Sequence, residues 1–327
     1  MQDALVHLLE HNLAYYQQAA ILLAALIMAH FIPLYRQQQP LFLFARLAKQ
    51  FAVHVNHPQR AISQRKIAGF LSVLLLTLPF ALLIYFFIAL AYYPWFFEFL
   101  ILYLCLQDSR LIKDSNRIAQ LSHQQEKHKA RMVLADWTSR DTSSLTTLGI
   151  NKATIETTIS VTQTNFTGVI LAFLLGGAPL VLVYKMLQQL DEAWPNIAPR
   201  FNGFNSYLHT VLAILNFFPK LLFSAFFAIS AGCKGFSLWV NTAFSPQSFT
   251  TALVSYRIIA FKFGIELGGP QLFDGIKVQQ PKYQYGKPPT AEHIVLINQK
   301  ISQFQFFTIA LTLAITVLFP FFDFAIR

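Results

Sequence analysis

Apolar residues in this chain fill long, nearly uninterrupted runs, and polar residues gather between them instead of alternating within them. A bilayer core about 30 Å thick needs about 20 apolar residues of helix. By that measure the pattern predicts transmembrane helices over residues 15–34, 67–90, 168–187, 207–231 and 304–322, with 95–106 as a shorter sixth run. The sixth contains Glu98 and is expected to be re-entrant or tilted. The predicted architecture is therefore an all-α, multi-pass transmembrane helix bundle of five or six spans, a single integral membrane domain over 1–327.

The connections set the expected orientation. Residues 35–66 hold Arg36, Arg46, Lys49, Arg60, Arg65 and Lys66 with no acid; 107–167 hold eight Lys or Arg, and 232–303 hold seven. Basic connections mark the cytoplasmic side, so these three loops are expected there, with the N-terminus, bearing Asp3 and Glu10, in the periplasm of a bacterial-type inner membrane. No basic n-region precedes the first apolar run, and no cleavable signal peptide is expected. The stretch 188–206, with Arg200 against Asp191 and Glu192, is expected on the opposite face. In the second loop, Leu111, Ile112, Ile118 and Leu121 recur near helical spacing and predict one or two amphipathic helices at the membrane surface. The third loop is dense in Gly and Pro over 267–289 and reads as a succession of turns. Thr290 with Glu292 behind it marks a helix start.

Composition narrows the class. Of 327 residues, 55% are hydrophobic and 12% charged, against about 25% charged in soluble domains, which excludes a wholly soluble enzyme. Thirty-three Phe exclude disorder. The net charge of +10 is spread between apolar runs, so it reads as membrane orientation and not as a nucleic-acid groove. Cys105 and Cys233 form no CxxC pair. Phosphate-loop, nucleophile-elbow, zincin and dinucleotide motifs are absent. His54 and His57 read as a solvated loop pair and the Asn165 sequon as a chance match beside a span. Polar groups at the membrane edge carry more information: Arg140, Asp141 and Thr142 before a helix that Thr142 is expected to cap; Glu156, four residues after Lys152; Asp191 and Glu192 at the end of the 168–187 run; and Asn216 with Pro219 inside the 207–231 run, where a buried amide needs an internal partner or a watery cavity and Pro219 reads as a kink.

The order of these motifs resembles the CobD/CbiB family of cobamide biosynthesis. ARMVLADWTSRDT over 130–142, then 153–156, GVILAFLLGGAPLVLVYKMLQQLD over 168–191, NFFPKLL over 216–222, FSPQS over 244–248 and LGGPQLFDG over 267–275 occur collinearly, so the similarity covers about 40–300. The resemblance implies a membrane enzyme, adenosylcobinamide-phosphate synthase-like, that joins aminopropanol or its phosphate to a cobyric acid carboxyl as an amide, with ATP and magnesium as cofactors and a corrinoid as substrate. It further implies catalytic roles for Arg140, Asp141, Glu156 and Asp191, substrate contacts from Arg131, Thr142, Gln163, Gln188, Asn216, Gly268 and Gly269, and Glu156 and Asp191 as the candidate metal ligands; Pro219 and Pro270 also fit the pattern. Implied partners are the lipid bilayer, a corrinoid intermediate and other cobamide-assembly membrane enzymes. Arg140 and Asp191 can share one site only if the span between them tilts or breaks.

The chain departs from that pattern at Gln39, which stands where the family has a histidine, and at Gln163, Thr164, Thr167, Leu212 and Ala213, where the family supplies acids and an amide. Magnesium is held by carboxylates together with phosphates, so the losses imply weak catalysis or none. They also resemble the AmpE proteins, and a non-catalytic membrane regulator stands beside the enzyme as the second reading. Scarce intramembrane charge argues against an ion-coupled transporter.

Overall fold

The computed structural model describes residues 13–34, 39–57, 59–106, 109–244 and 253–326; most of FSPQS lies outside them. The described chain is mostly helical, with little sheet. Helix α1 (Leu13–Phe31) and α2 (Pro40–Val55) lead into α3 (Ile62–Leu90), whose exposure is the reverse of a soluble helix. Leu71, Leu75, Leu83 and Phe86 are exposed, whereas Arg65, Gly69, Ser72 and Thr77 face inward. The Ser72 and Thr77 hydroxyls donate to the carbonyls of Ala68 and Val73 at 2.7 Å, so neither hydroxyl is left unpaired. Close packing needs the glycine: a Cβ on Gly69 would stand 1.7 Å from the Phe204 carbonyl oxygen. The chain is a helical membrane bundle.

The runs read as spans differ in form. Among the described residues two helices are long and apolar enough to cross a membrane, Ile62–Leu90 and Thr147–Ala193, with a third if Ser206–Leu215 and Phe217–Ile229, bent by 51°, count as one. Helix α4 (Pro94–Cys105) has 12 residues, about 18 Å at 1.5 Å per residue and short of the about 30 Å core.

The segment 147–193 is not straight. Helix α7 (Thr147–Val161) passes through a π-helical turn (Thr162–Thr167) into α8 (Gly168–Ala193), which breaks at Gly176 and at Gly177 with φ +62°. The Tyr184 hydroxyl donates to the Thr164 carbonyl at 2.7 Å, whereas a straight helix would hold residues twenty apart about 30 Å from each other. The helix therefore doubles back into a hairpin with its tip at 175–177. Leu22 and Ala25 of α1, Leu102 of α4, and Phe173 and Val181 from the two arms share one core around it.

Because the chain reverses there, 188–206 returns to the end that carries the basic loops, which corrects the expectation that it lies on the opposite face. Arg200 pairs with Asp274 at 3.0 Å, Asn56 and Arg65 donate to the Arg200 carbonyl, and the Trp194 indole donates to the Ala48 carbonyl at 2.9 Å. The second loop contains the two amphipathic helices expected, α5 (Ser109–His123) and α6 (Lys127–Ala135), with Leu111, Ile118 and Leu121 buried. Helices α9 (Ser206–Leu215) and α10 (Phe217–Ile229) meet at Asn216, and α11 (Gly232–Ala243) and α12 (Leu253–Phe263) follow. The Gly/Pro-rich stretch is more ordered than a set of turns. Strand β1 (Glu266–Gly268) pairs antiparallel with β4 (Lys282–Gln284), and β2 (Gln271–Phe273) with β3 (Ile276–Val278) across Asp274 and Gly275, both at positive φ. The last helix, α13 (Ala291–Ile326), starts where Thr290 marks it, with the Thr290 hydroxyl 2.7 Å from His293 Nδ1.

Candidate functional site

The hairpin arms, the 137–140 loop, the bend at Asn216, α12 and the β-hairpins enclose a cavity of about 680 Å³. Its wall includes Arg140, Glu156, Gln188, Asp191, Asn216 and Gly268 from the sequence reading, together with Glu192, His209, Lys220 and Tyr256. Arg140 and Asp191, 51 positions apart, share one cavity because of the break at Gly176 and Gly177, the condition the sequence sets for a single site.

Glu156 is a strut of this site. Its side chain is 1% exposed, and Arg140 donates to Oε2 at 2.8 Å. The Gly268 N–H donates to Oε1 at 2.7 Å and the Gln271 amide reaches Oε2 at 3.4 Å. Gly268 takes φ +74°, and a Cβ there would stand 2.1 Å from the Pro281 carbonyl oxygen, so only glycine brings this N–H to the carboxylate. The sequence pairing of Glu156 with Lys152 is corrected: Lys152 instead reaches Glu266 at 3.6 Å, which Lys282 also holds at 2.8 Å. The hydrogen bond from Lys282, helped by Lys152, holds the Glu266 carboxyl below its ordinary 4.5. The Tyr256 hydroxyl donates to the Glu156 carbonyl at 3.2 Å, and burial with the Glu156 charge nearby pushes its phenol far above the ordinary range. Burial also raises Tyr283 on the same wall, to about 12.

Asp191 is the available carboxylate. It is about one-third exposed, accepts from Asn205 Nδ2 at 2.7 Å and lies 3.8 Å from His209 Nδ1. Asn216 has the internal partners that a buried amide requires: its Oδ1 lies 2.6 Å from the Tyr184 hydroxyl and accepts from Gln188 at 2.8 Å, at a bend that Pro219 follows.

Arg131, Asp141, Thr142, Gln163 and Gly269 stand outside this cavity. Arg131 donates to the Leu145 carbonyl at 2.9 Å and fixes the loop. Asp141 accepts from the Gly275 N–H at 2.8 Å, a contact to the β2–β3 turn. Thr142 does not cap the following helix; Thr146 does, accepting from the Gly149 N–H at 3.2 Å. Gln163 is buried on the π-helical turn without a hydrogen-bond partner among the described residues. Gly269, at φ +93°, shapes the backbone beside Lys152 and Lys282. Asn165 is buried on the cavity wall, where a glycan has no room, and His54 bonds the Gln50 carbonyl at 3.0 Å. Of the neutralised family positions, Thr164, Leu212 and Ala213 line the cavity.

The sequence reading missed His209, Lys220 and Tyr256. Lys220 sits inside the quoted NFFPKLL motif, and its presence as a cation within an apolar run was the signal that could have found it.

The family model described as CobD/Cbib protein matches residues 21–300. The cobalamin biosynthesis protein CobD of Stutzerimonas stutzeri (strain A1501) is 27% identical over 263 residues, 79% of this chain and 85% of that protein. CobD of Chromobacterium violaceum is 25% identical over 290 residues, 85% of this chain and 90% of that protein. CbiB of Salmonella choleraesuis (strain SC-B67) is 25% identical over 197 residues, covering 58% and 62%. No solved structure matches the chain. With the family model spanning most of its length, this chain belongs to the CobD/CbiB family.

Proposed function

We propose that this protein acts in cobamide biosynthesis at the inner membrane, forming the amide between aminopropanol, or its phosphate, and a carboxyl of cobyric acid in the cavity beside Asp191. The observation that carries the reading is the convergence of the family's landmarks, Arg140, Glu156, Asp191, Asn216 and Gly268, on one cavity. Relatives named as cobalamin biosynthesis proteins favour this over a membrane regulator of the AmpE kind. The basic loops that meet at the cavity end favour a mouth on the cytoplasmic side, where a corrinoid, a nucleotide and neighbouring cobamide-assembly enzymes would have access.

ATP with magnesium, when bound, would supply activation of the carboxylate. Among the described residues no group of three or more His, Cys, Asp or Glu side chains could hold a metal alone, but magnesium usually takes one or two carboxylates plus substrate phosphates. Asp191 and Glu192 fit that role because both face the cavity. Glu156 does not, since its two oxygens are engaged by Arg140, Gly268 and Gln271. In this reading Glu156 and Arg140 hold the hairpin arm against β1, Asn205 orients Asp191, and His209 beside Asp191 accepts a proton from the incoming ammonium. Neutral Thr164, Leu212 and Ala213 on the wall lower the rate below that of relatives with more carboxylates. The test is expression in a strain lacking its own enzyme, supplied with cobyric acid and aminopropanol phosphate: slow cobamide-dependent growth is expected, and no growth, or growth restored equally by wild-type and Asp191→Asn chains, overturns the reading.

A further inference from the structure

The cations near the cavity are nearly all committed. Arg140 is held by Glu156, Lys152 and Lys282 share Glu266, Arg200 pairs with Asp274, and Arg257 donates to the Tyr285 and Thr242 hydroxyls. Lys220 is different. It lines the cavity from the first turn of α10, and among the described residues its amine enters no ion pair or hydrogen bond, with Asp191 acting on it only through space.

Its backbone is firmly set. The Lys220 N–H donates to the Asn216 carbonyl at 3.0 Å, and the Asn216 side chain is in turn held by Tyr184 and Gln188. An ammonium carried on this backbone, without a contacting carboxylate, has a desolvation cost that Asp191 offsets only in part through space. A ligand anion offsets it.

The surrounding wall selects the kind of anion. Asp191 and Glu192 face the same cavity and favour an anion that brings a divalent cation with it. A phosphoryl group has three acceptor oxygens and can bridge an ammonium on one side and a carboxylate-held divalent cation on the other. Ser160, Asn165 and Gln188 offer neutral donors around the same space. We propose that Lys220 anchors a phosphoryl group in this cavity. The inference deepens the proposed function, since that group belongs either to the nucleotide or to a phosphorylated amine.

The test uses the full chain in lipid nanodiscs. Lysines are reductively methylated and the extent at each is read by peptide mass spectrometry, with no ligand, with inorganic phosphate, with propyl phosphate, or with ATP and magnesium; propanol and adenosine are the controls. Exposed Lys129 serves as reference. A charge-assisted contact predicts that phosphate compounds reduce Lys220 methylation about tenfold or more and leave Lys129 unchanged. Protection by propyl phosphate assigns the anchor to the amine substrate, and protection by ATP with magnesium alone assigns it to the nucleotide. Equal methylation of Lys220 in all conditions overturns the proposal. Binding of the protecting compound is then expected to survive Lys220→Arg and to weaken about 10- to 100-fold in Lys220→Gln at unchanged melting temperature; equal binding by both variants also overturns it. Protection in a chain that forms no amide keeps the anchor and removes the proposed reaction, whereas full amide formation by Lys220→Gln does the reverse.

Discussion

Removing the guanidinium from the Arg140–Glu156 pair separates a structural strut from an exposed ion pair. In Arg140→Met the Glu156 carboxylate, 1% exposed, keeps the Gly268 N–H and the Gln271 amide but loses its only ionic partner among the described residues. An uncompensated buried charge costs about 3–5 kcal/mol, whereas an exposed pair contributes about 1 kcal/mol or less. At about 2 °C per kcal/mol for a chain of this size, melting falls by about 6–10 °C. Adding Glu156→Gln removes the stranded charge while an amide oxygen still accepts from Gly268, so the double variant is expected to recover all but about 1–2 kcal/mol of the loss. Thermal unfolding of the three chains in one detergent, followed by size-exclusion chromatography, measures both quantities. A loss under about 2 °C for Arg140→Met, or a double variant no better than Arg140→Met alone, refutes the strut.

The hairpin makes its own prediction: Gly168→Ala would place a Cβ 1.9 Å from the Tyr184 hydroxyl, and overpacking of this kind costs about 1–3 kcal/mol, read as lowered melting; an unchanged melting point argues for a straight helix. Labelling of single cysteines at Ser63, His123, Ile197 and Gln279, in a chain freed of Cys105 and Cys233, is expected from one side of the membrane at all four positions, and Ile197 labelled from the opposite side contradicts the reversal. The depressed Glu266 carboxyl contributes stability that is complete above its ordinary 4.5 and lost as pH falls through its folded value, so wild type is more stable than Glu266→Gln at neutral pH and the gap closes in acid; a gap independent of pH contradicts the ion triad.

The apolar runs, the amphipathic helices of the second loop, the bend at Asn216 and the start at Thr290 were legible because each depends on local composition. The reversal at Gly176 and Gly177 was not, since hydropathy carries no sign of direction. Its signal was chemical: glycine at positive φ ends one helix and Pro179 opens the next, inside a run whose small residues also suit helix packing. The β2–β3 hairpin was likewise marked by Asp274–Gly275 between two short apolar segments. In sequence the one partner visible for Glu156 is Lys152, a neighbour along the helix, while Arg140 reaches it across a loop and Gly268 across 112 positions.

Amide formation by the purified chain tests the central claim most directly. The chain, reconstituted in nanodiscs with cobyric acid, aminopropanol phosphate, ATP and magnesium, is followed by mass spectrometry beside CobD of Stutzerimonas stutzeri and the Asp191→Asn variant. The expected result is amide product from the wild-type chain, formed more slowly than by that relative and lost in Asp191→Asn at an unchanged melting temperature; no product from the wild-type chain, or undiminished product from Asp191→Asn, contradicts an amide-forming site at this cavity.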